Sequence, residues 1–214
     1  MPRETSARKS PRREAANGVE KPARVATKTP VEPPAPARYE HLDPIQLFTL
    51  LPIRVYQHIA DIGAGQGYLT LPLAKYAYDG KVIAIDAQQS SLDVIKERVA
   101  QARLSNVAVL QSKDGKIPLQ DASVDGVVMS PVLHESKQPV ALLKEVGRVL
   151  KADGWITAIE WVKSSGADGP SPEQLIPRPQ AVKLAQEAGL RIIAQRDLNS
   201  YFYFVLLKKN KGSS

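Results

Sequence analysis

Short β-branched apolar runs alternate with longer stretches of helical spacing between residues 56 and 207. The first run, 56–62, turns sharply at three alternate glycines, Gly63, Gly65 and Gly67. Apolar positions at Leu69, Leu73 and Ala74, with Tyr76 and Ala77 behind them, then fall on one helical face, which predicts a helix over 67–77. Further strands are predicted at 81–86, 106–111, 124–130 and 154–162, with helices at 90–102 and 137–150 between them. Ser90 and Ser91 are candidate N-caps for the first of these helices. A Gly, Ser and Pro-rich loop covers 163–177, a helix over 178–188 stops at Gly189, and two last strands, 190–196 and 201–207, are separated by Asn199-Ser200. Ahead of the first strand, 44–51 reads as a short helix capped by Asp43 with Pro44 at its first position, expected to pack across the open side of a ligand pocket. Strand–helix alternation of this kind implies an α/β fold, a mostly parallel doubly wound sheet with helices on both faces.

The glycine turn carries the first chemical signal. Glycines at 63 and 65 let a ligand approach the backbone with no Cβ in the way, and the helix that follows presents free N–H groups and a positive dipole end. Asp86 ends the second strand, where a carboxylate accepts hydrogen bonds from ribose hydroxyls. A dinucleotide fingerprint, Gly-x-Gly-x-x-Gly, would place its third glycine where this chain has Tyr68. Asp61 stands two residues before the first glycine, beneath the turn, where it would repel a pyrophosphate. A cationic ligand matches better, and an NAD-dependent oxidoreductase is disfavoured. The plain alternative is a glycine turn that serves packing alone.

The segment Asp61-Ile-Gly63-Ala-Gly65-Gln-Gly67 resembles motif I of the class I S-adenosylmethionine-dependent methyltransferases, whose ligand carries a sulfonium and an ammonium. The likeness continues through Ile117-Pro118-Leu119 and Val124-Asp-Gly-Val-Val-Met129, worded as in the ubiquinone and menaquinone biosynthesis type, and through Val146-Gly-Arg-Val-Leu-Lys151. It covers about residues 42–208. The resemblance implies a Rossmann-like, seven-stranded sheet of order 3-2-1-4-5-7-6 with strand 7 antiparallel. It implies S-adenosylmethionine as cofactor, held by Asp61, Gly63, Ala64, Gly65 and Gly67 at the turn, Asp86 at the ribose and Ala87 near the adenine. It also implies Lys113, Asp114 and Gly115 beside the adenine amino group and Ser130 at the end of strand four. It does not identify the methyl acceptor.

Composition narrows the classes. With 214 residues, 43% of them apolar and no long apolar run, the chain fits one α/β domain, 39–209, with no membrane span or secretory segment, and a cytoplasmic location is expected. Zero cysteines exclude disulfides, thiolate metal sites, cysteine nucleophiles and the cysteine-dependent arsenite methyltransferases. With three histidines, His41, His58 and His134, no metal site is expected. The net charge of +7 resides mainly in residues 1–38, where nine basic residues face four glutamates, giving +5. That stretch also holds seven of the 17 prolines and no aromatic residue, so a disordered basic tail is expected and a specific nucleic-acid partner is not. Residues 210–214 are expected to be flexible, and the protein to be a monomer or homodimer.

Methyl transfer from a sulfonium is an in-line displacement, so the protein must chiefly align the reactants in a dry pocket. A carbon or oxygen acceptor also needs a base, and His134 and Glu135, in the loop after strand four, are the catalytic candidates. The structural alternative for His134 is a ring that bonds a backbone carbonyl and orders the loop. Phe48 and Trp161 are candidate apolar walls of an acceptor pocket formed with residues 161–180, and Arg178 is either a clamp for an acidic acceptor or a solvated side chain. Tyr39, Tyr201 and Tyr203 take no assigned role. No Asn-Pro-Pro-Tyr motif follows strand four, which disfavours amino-group methylation of bases. A small-molecule methyltransferase therefore leads, with a catalytically silent cofactor-binding protein as its rival.

Overall fold

A computed structural model describes Tyr39, residues 41–163 and residues 169–210. The expected tail, 1–38, and residues 211–214 lie outside the described residues. The chain enters through α1 (Pro44–Phe48), and then β1 (His58–Ile62), α2 (Thr70–Tyr76), β2 (Lys81–Asp86), α3 (Gln89–Gln101) and β3 (Val107–Gln111) form two successive crossovers. β4 (Val124–Met129), α4 (Pro139–Val149) and β5 (Leu150–Trp161) follow, then α5 (Arg178–Glu187), β6 (Leu190–Asp197) and β7 (Phe202–Lys209).

The seven strands form one sheet in the order β3-β2-β1-β4-β5-β7-β6, as the resemblance implies. β1 lies at its centre, parallel to β2 and β4, with Ala60 opposite both Ile83 and Val127. β7 runs antiparallel between β5 and β6. Side chains alternate between faces at a period of two. One face, including Ala60, Ile83, Val127 and Ile156, packs on Leu143 and Val146 of α4 and Ala181 of α5. The other carries Ile59, Val82 and Val128 against Leu47 and Phe48 of α1 and Leu73 of α2, while Ala84 meets Leu92 and Ile95 of α3. Gly126 in β4 makes room for the indole of its β5 partner Trp155: a Cβ there would lie 2.4 Å from Trp155 Cε2.

Three local expectations change. α1 is capped by Asp43, whose Oδ1 accepts the Ile45 and Gln46 N–H groups at 2.8 and 3.3 Å, but it stops at Phe48 rather than 51. Leu50 and Leu51 bond three residues back, to Leu47 and Phe48, so the last turn tightens and ends the helix. Ser90 and Ser91 are not N-caps: α3 begins at Gln89, and Asp86 Oδ1 takes the Gln88 N–H at 2.9 Å, turning the chain into the helix earlier. β5 begins at Leu150, because Leu150 already pairs with Val124 before a register shift carries the strand on to the Gly126–Trp155 pair. Among the described residues no helix is long and apolar enough to cross a membrane.

Candidate functional site

The loop from β1 to α2 uses left-handed backbone at all three glycines, with φ of +71° at Gly63, +53° at Gly65 and +83° at Gly67. Gly63 and Ala64 donate their N–H groups to the Ile85 carbonyl at 2.9 and 3.1 Å, stitching the loop to β2. Gly65 donates to Asp86 Oδ2 at 2.8 Å, so the acid that ends β2 holds the loop on one oxygen and the entry to α3 on the other. Asp61 is buried beneath the loop, and its Oδ2 accepts the Thr70 hydroxyl at 2.6 Å, tying β1 to the first residue of α2. Two of the glycines make room for the protein's own side chains. A Cβ on Gly63 would lie 2.9 Å from Val132 Cβ, and one on Gly67 would lie 2.8 Å from Leu71 Cδ1.

Two cavities adjoin at the carboxyl ends of the central strands, where open α/β sheets bind ligands. The smaller, of about 200 Å³, is lined by Tyr39, Gly63, Gly65 and Asp86. The larger, of about 640 Å³, is lined by Ala87, Ser112, Asp114 and Gly115. Val132 and Glu135 line both, so the loop between β4 and α4 forms their shared wall. Asp114 reaches the rim on a tight turn: it and Gly115 take φ of +52° and +72°, and the Lys116 N–H bonds the Lys113 carbonyl at 2.9 Å.

The remaining predicted binding residues line neither cavity. Ala64 is buried with Leu92 and Ile95, Gly67 faces Leu71 and Ile95, and exposed Lys113 begins the turn that carries Asp114. Ser130 is buried at the end of β4, and its Oγ has no hydrogen-bond partner. An unpaired buried hydroxyl costs about 1–3 kcal/mol. A polar group of a ligand at this strand end would remove that cost, so the residues present fit a small ligand that carries polar groups.

Tyr39 belongs to this site although no periodic run contains it. Its ring stacks on Tyr68 with centroids 4.9 Å apart and planes 6° from parallel, and its hydroxyl donates to the Ser130 carbonyl at 2.9 Å. Tyr68 in turn donates to the Leu42 carbonyl at 2.6 Å, Asn199 donates to the His41 carbonyl at 2.6 Å, and His41 stacks on Tyr201 at 3.7 Å. These contacts fasten the segment ahead of α1 to the glycine loop, β4 and the β6–β7 turn. α1 itself packs on α2 and not across the pocket, because Leu47 and Phe48 find their apolar partners beside Leu73. Phe48 meets the edge of Tyr76 at 6.0 Å and Trp161 packs on Phe202 at 4.4 Å; both are buried core residues, and neither lines the two cavities described above. Arg178 pairs with Asp197 at 3.0 Å on the surface, the solvated account of that side chain.

His134 bonds a carboxylate in place of a backbone carbonyl. Its Nδ1 lies 2.8 Å from Glu160 Oε2, while Glu160 Oε1 accepts the N–H groups of Leu133 and His134 at 2.6 and 3.2 Å. Glu160 lies in β5 opposite Tyr203, and its side chain is 1% exposed. Tyr203 donates to the Ile176 carbonyl, and its phenol pKa is pushed well up by burial and by the nearby Glu160 charge. The other ring nitrogen of His134, Nε2, lies 4.0 Å from Glu135 Oε1. Glu160 has a sequence signal, a lone acid inside the apolar run Ile156-Thr-Ala-Ile-Glu-Trp161, but nothing local to pair it with. Among the described residues no group of three metal-ligating side chains is placed to hold a metal ion.

Residues 60–158 match the family model described as a methyltransferase domain. A SAM dependent methyltransferase from Aquifex aeolicus superposes with a TM-score of 0.75 at 31% identity, covering 81% of this chain and 93% of that one. The [4+2]-cyclase SpnF superposes with a TM-score of 0.65 at 18% identity, over 73% of this chain and 76% of that one, a likeness of fold alone. The chain is 35% identical over 105 residues to a demethylmenaquinone methyltransferase of Symbiobacterium thermophilum, a match covering 48% of this chain and 42% of that protein. It is also 35% identical over 118 residues to an uncharacterized methyltransferase of Mycobacterium tuberculosis, covering 51% and 45%. These matches therefore span less than half the length of either relative. With the glycine loop, the acid that ends β2, the strand order and the Aquifex likeness in agreement, the chain belongs to the class I S-adenosylmethionine-dependent methyltransferases.

Proposed function

We propose that the protein transfers a methyl group from S-adenosylmethionine to a small-molecule acceptor. The observation that carries the reading is the bond from Gly65 to Asp86, which sets a carboxylate at the cavity edge beside a loop of left-handed glycines. Each Asp86 oxygen takes one backbone N–H and keeps acceptor capacity for a ribose hydroxyl. Ala87, Asp114 and Gly115 would hold the adenine in the larger cavity, and the backbone at Gly63 and Gly65 with Ser130 Oγ would hold the amino-acid end. The negative charge of Asp61 beneath the loop favours a cationic ligand over a pyrophosphate. When bound, the cofactor supplies an electrophilic methyl group on a sulfonium.

The chain's own part is alignment and a proton. His134 is the base that accepts the acceptor's proton at Nε2, and Glu135, in the wall of both cavities, is the second candidate. Calorimetry with S-adenosylmethionine, run beside a S-adenosylhomocysteine release assay, tests the reading. The acceptor panel begins with demethylmenaquinone, named for one relative, and extends to phenols, enols, amines and thiols. Binding with turnover supports methyl transfer. Binding without turnover across the panel favours the silent cofactor-binding protein, and binding of NAD(H) in its place defeats both.

A further inference from the structure

We infer that Glu160 is a positioning residue that fixes His134 as the tautomer with its proton on Nδ1, leaving the lone pair on Nε2, the nitrogen 4.0 Å from Glu135 in the cavity wall. The inference deepens the proposed reaction and rests on His134 being its base. An ionised carboxylate accepts hydrogen bonds and donates none, so opposite ionised Glu160 the His134 nitrogen 2.8 Å from Oε2 carries the proton. The two backbone N–H bonds from Leu133 and His134 to Oε1 lock the carboxylate in orientation and tie the loop's main chain to the same group. Tyr203, its partner across β5 and β7, does not compete, because the phenol hydroxyl is donated to Ile176. Glu135 Oε1, at 4.0 Å, stands beyond hydrogen-bond distance of Nε2. A neutral imidazole held this way accepts a proton at Nε2 and gains stabilisation at Nδ1 as it becomes a cation.

Glu160→Gln makes a specific prediction. The amide oxygen keeps the two backbone N–H bonds, which turns the NH2 group toward Nδ1 and forces that nitrogen to accept, moving the ring proton to Nε2. Nitrogen NMR of the histidine ring at mildly alkaline pH reads the tautomer directly. The chain has three histidines, and His134→Gln identifies the resonances of the one in question. The unsubstituted protein is expected to show the Nδ1–H form and Glu160→Gln the Nε2–H form. With the identified acceptor, kcat is expected to fall about 10²- to 10⁴-fold, the range a positioned base contributes, while cofactor affinity holds. A ring that carries a proton on Nε2 in the unsubstituted protein, alone or on both nitrogens, overturns the inference, whatever Glu160→Gln does to folding. An Nδ1–H ring together with full turnover in His134→Gln sinks the base reading instead, so the two failures are distinguishable.

Discussion

Asp86 grips Gly65 from 21 residues downstream: one carboxylate oxygen accepts the glycine N–H at 2.8 Å while the other accepts that of Gln88. The acid that would hold the ribose thus also shapes the loop that would hold the rest of the cofactor. Asp86→Ala should weaken S-adenosylmethionine binding by about 1–3 kcal/mol through lost hydrogen bonds to a charged acceptor. Isothermal titration reads this directly. Unchanged affinity would remove Asp86 from the site.

Gly63 is doubly constrained, by φ of +71° and by Val132 2.9 Å from where a Cβ would stand. Gly63→Ala should cost about 1–2 kcal/mol for the left-handed backbone and a further 1–3 kcal/mol, roughly, for overpacking. Adding Val132→Ala should recover the second contribution and not the first. Denaturant unfolding of the two single variants and the double variant tests this, and additive losses would show that the Val132 contact plays no part.

The elements that positioned themselves in the sequence did so through local signals. Gly63, Gly65 and Gly67 stand within five residues of one another, and β2 is a continuous apolar run from Val82 to Ile85 because both its faces are covered. Tyr39 stands in no periodic run, and Glu160, a lone acid in an apolar run, has no partner nearby in sequence, since the bond from Tyr39 to Ser130 spans 91 residues and that from Glu160 to His134 spans 26. α1 shows the same divide. Its cap and first-turn proline were legible, but Leu47 and Phe48 are an apolar pair that any exposed apolar face would bury, and only the packed fold shows that α2 provides it. Asp61, Ala64, Gly67, Lys113 and Ser130 match a family motif, yet the two cavities are lined by other members of that motif, Gly63, Gly65, Asp86, Ala87, Asp114 and Gly115.

Tyr39 fastens the segment ahead of α1 to β4 through the Ser130 carbonyl and lines the smaller cavity. Tyr39→Phe keeps the stack on Tyr68 and removes one buried hydrogen bond, so stability should fall by about 1–3 kcal/mol, the cost of leaving a buried carbonyl unpaired. Tyr39→Ala also removes the ring from the cavity wall and should weaken cofactor binding more than Tyr39→Phe does. Equal affinities for the two variants would show that the ring contributes nothing to the pocket.

Glu145 and Arg148 of α4 brace the loop between β3 and β4. Arg148 bonds Glu145 Oε1 and Oε2 at 2.7 and 2.8 Å and also reaches the carbonyls of Ile117 and Leu119, while Glu145 Oε1 accepts the Ile117 N–H at 3.0 Å. The Arg148 hydrogen bonds hold the Glu145 carboxyl below its ordinary range against the opposing effect of burial. A depressed folded pKa contributes stability that is fully present above the unfolded value of about 4.3 and is lost as pH falls through the folded value. Stability should therefore decline on acidification below about pH 5, where the unfolded chain starts to bind the proton. Glu145→Gln should lower stability near neutrality and flatten that acid limb, because the variant has no carboxyl to protonate. Urea unfolding midpoints at several pH values check the slope, and an acid limb as steep in the variant as in the unsubstituted protein would assign the acid sensitivity to other carboxylates.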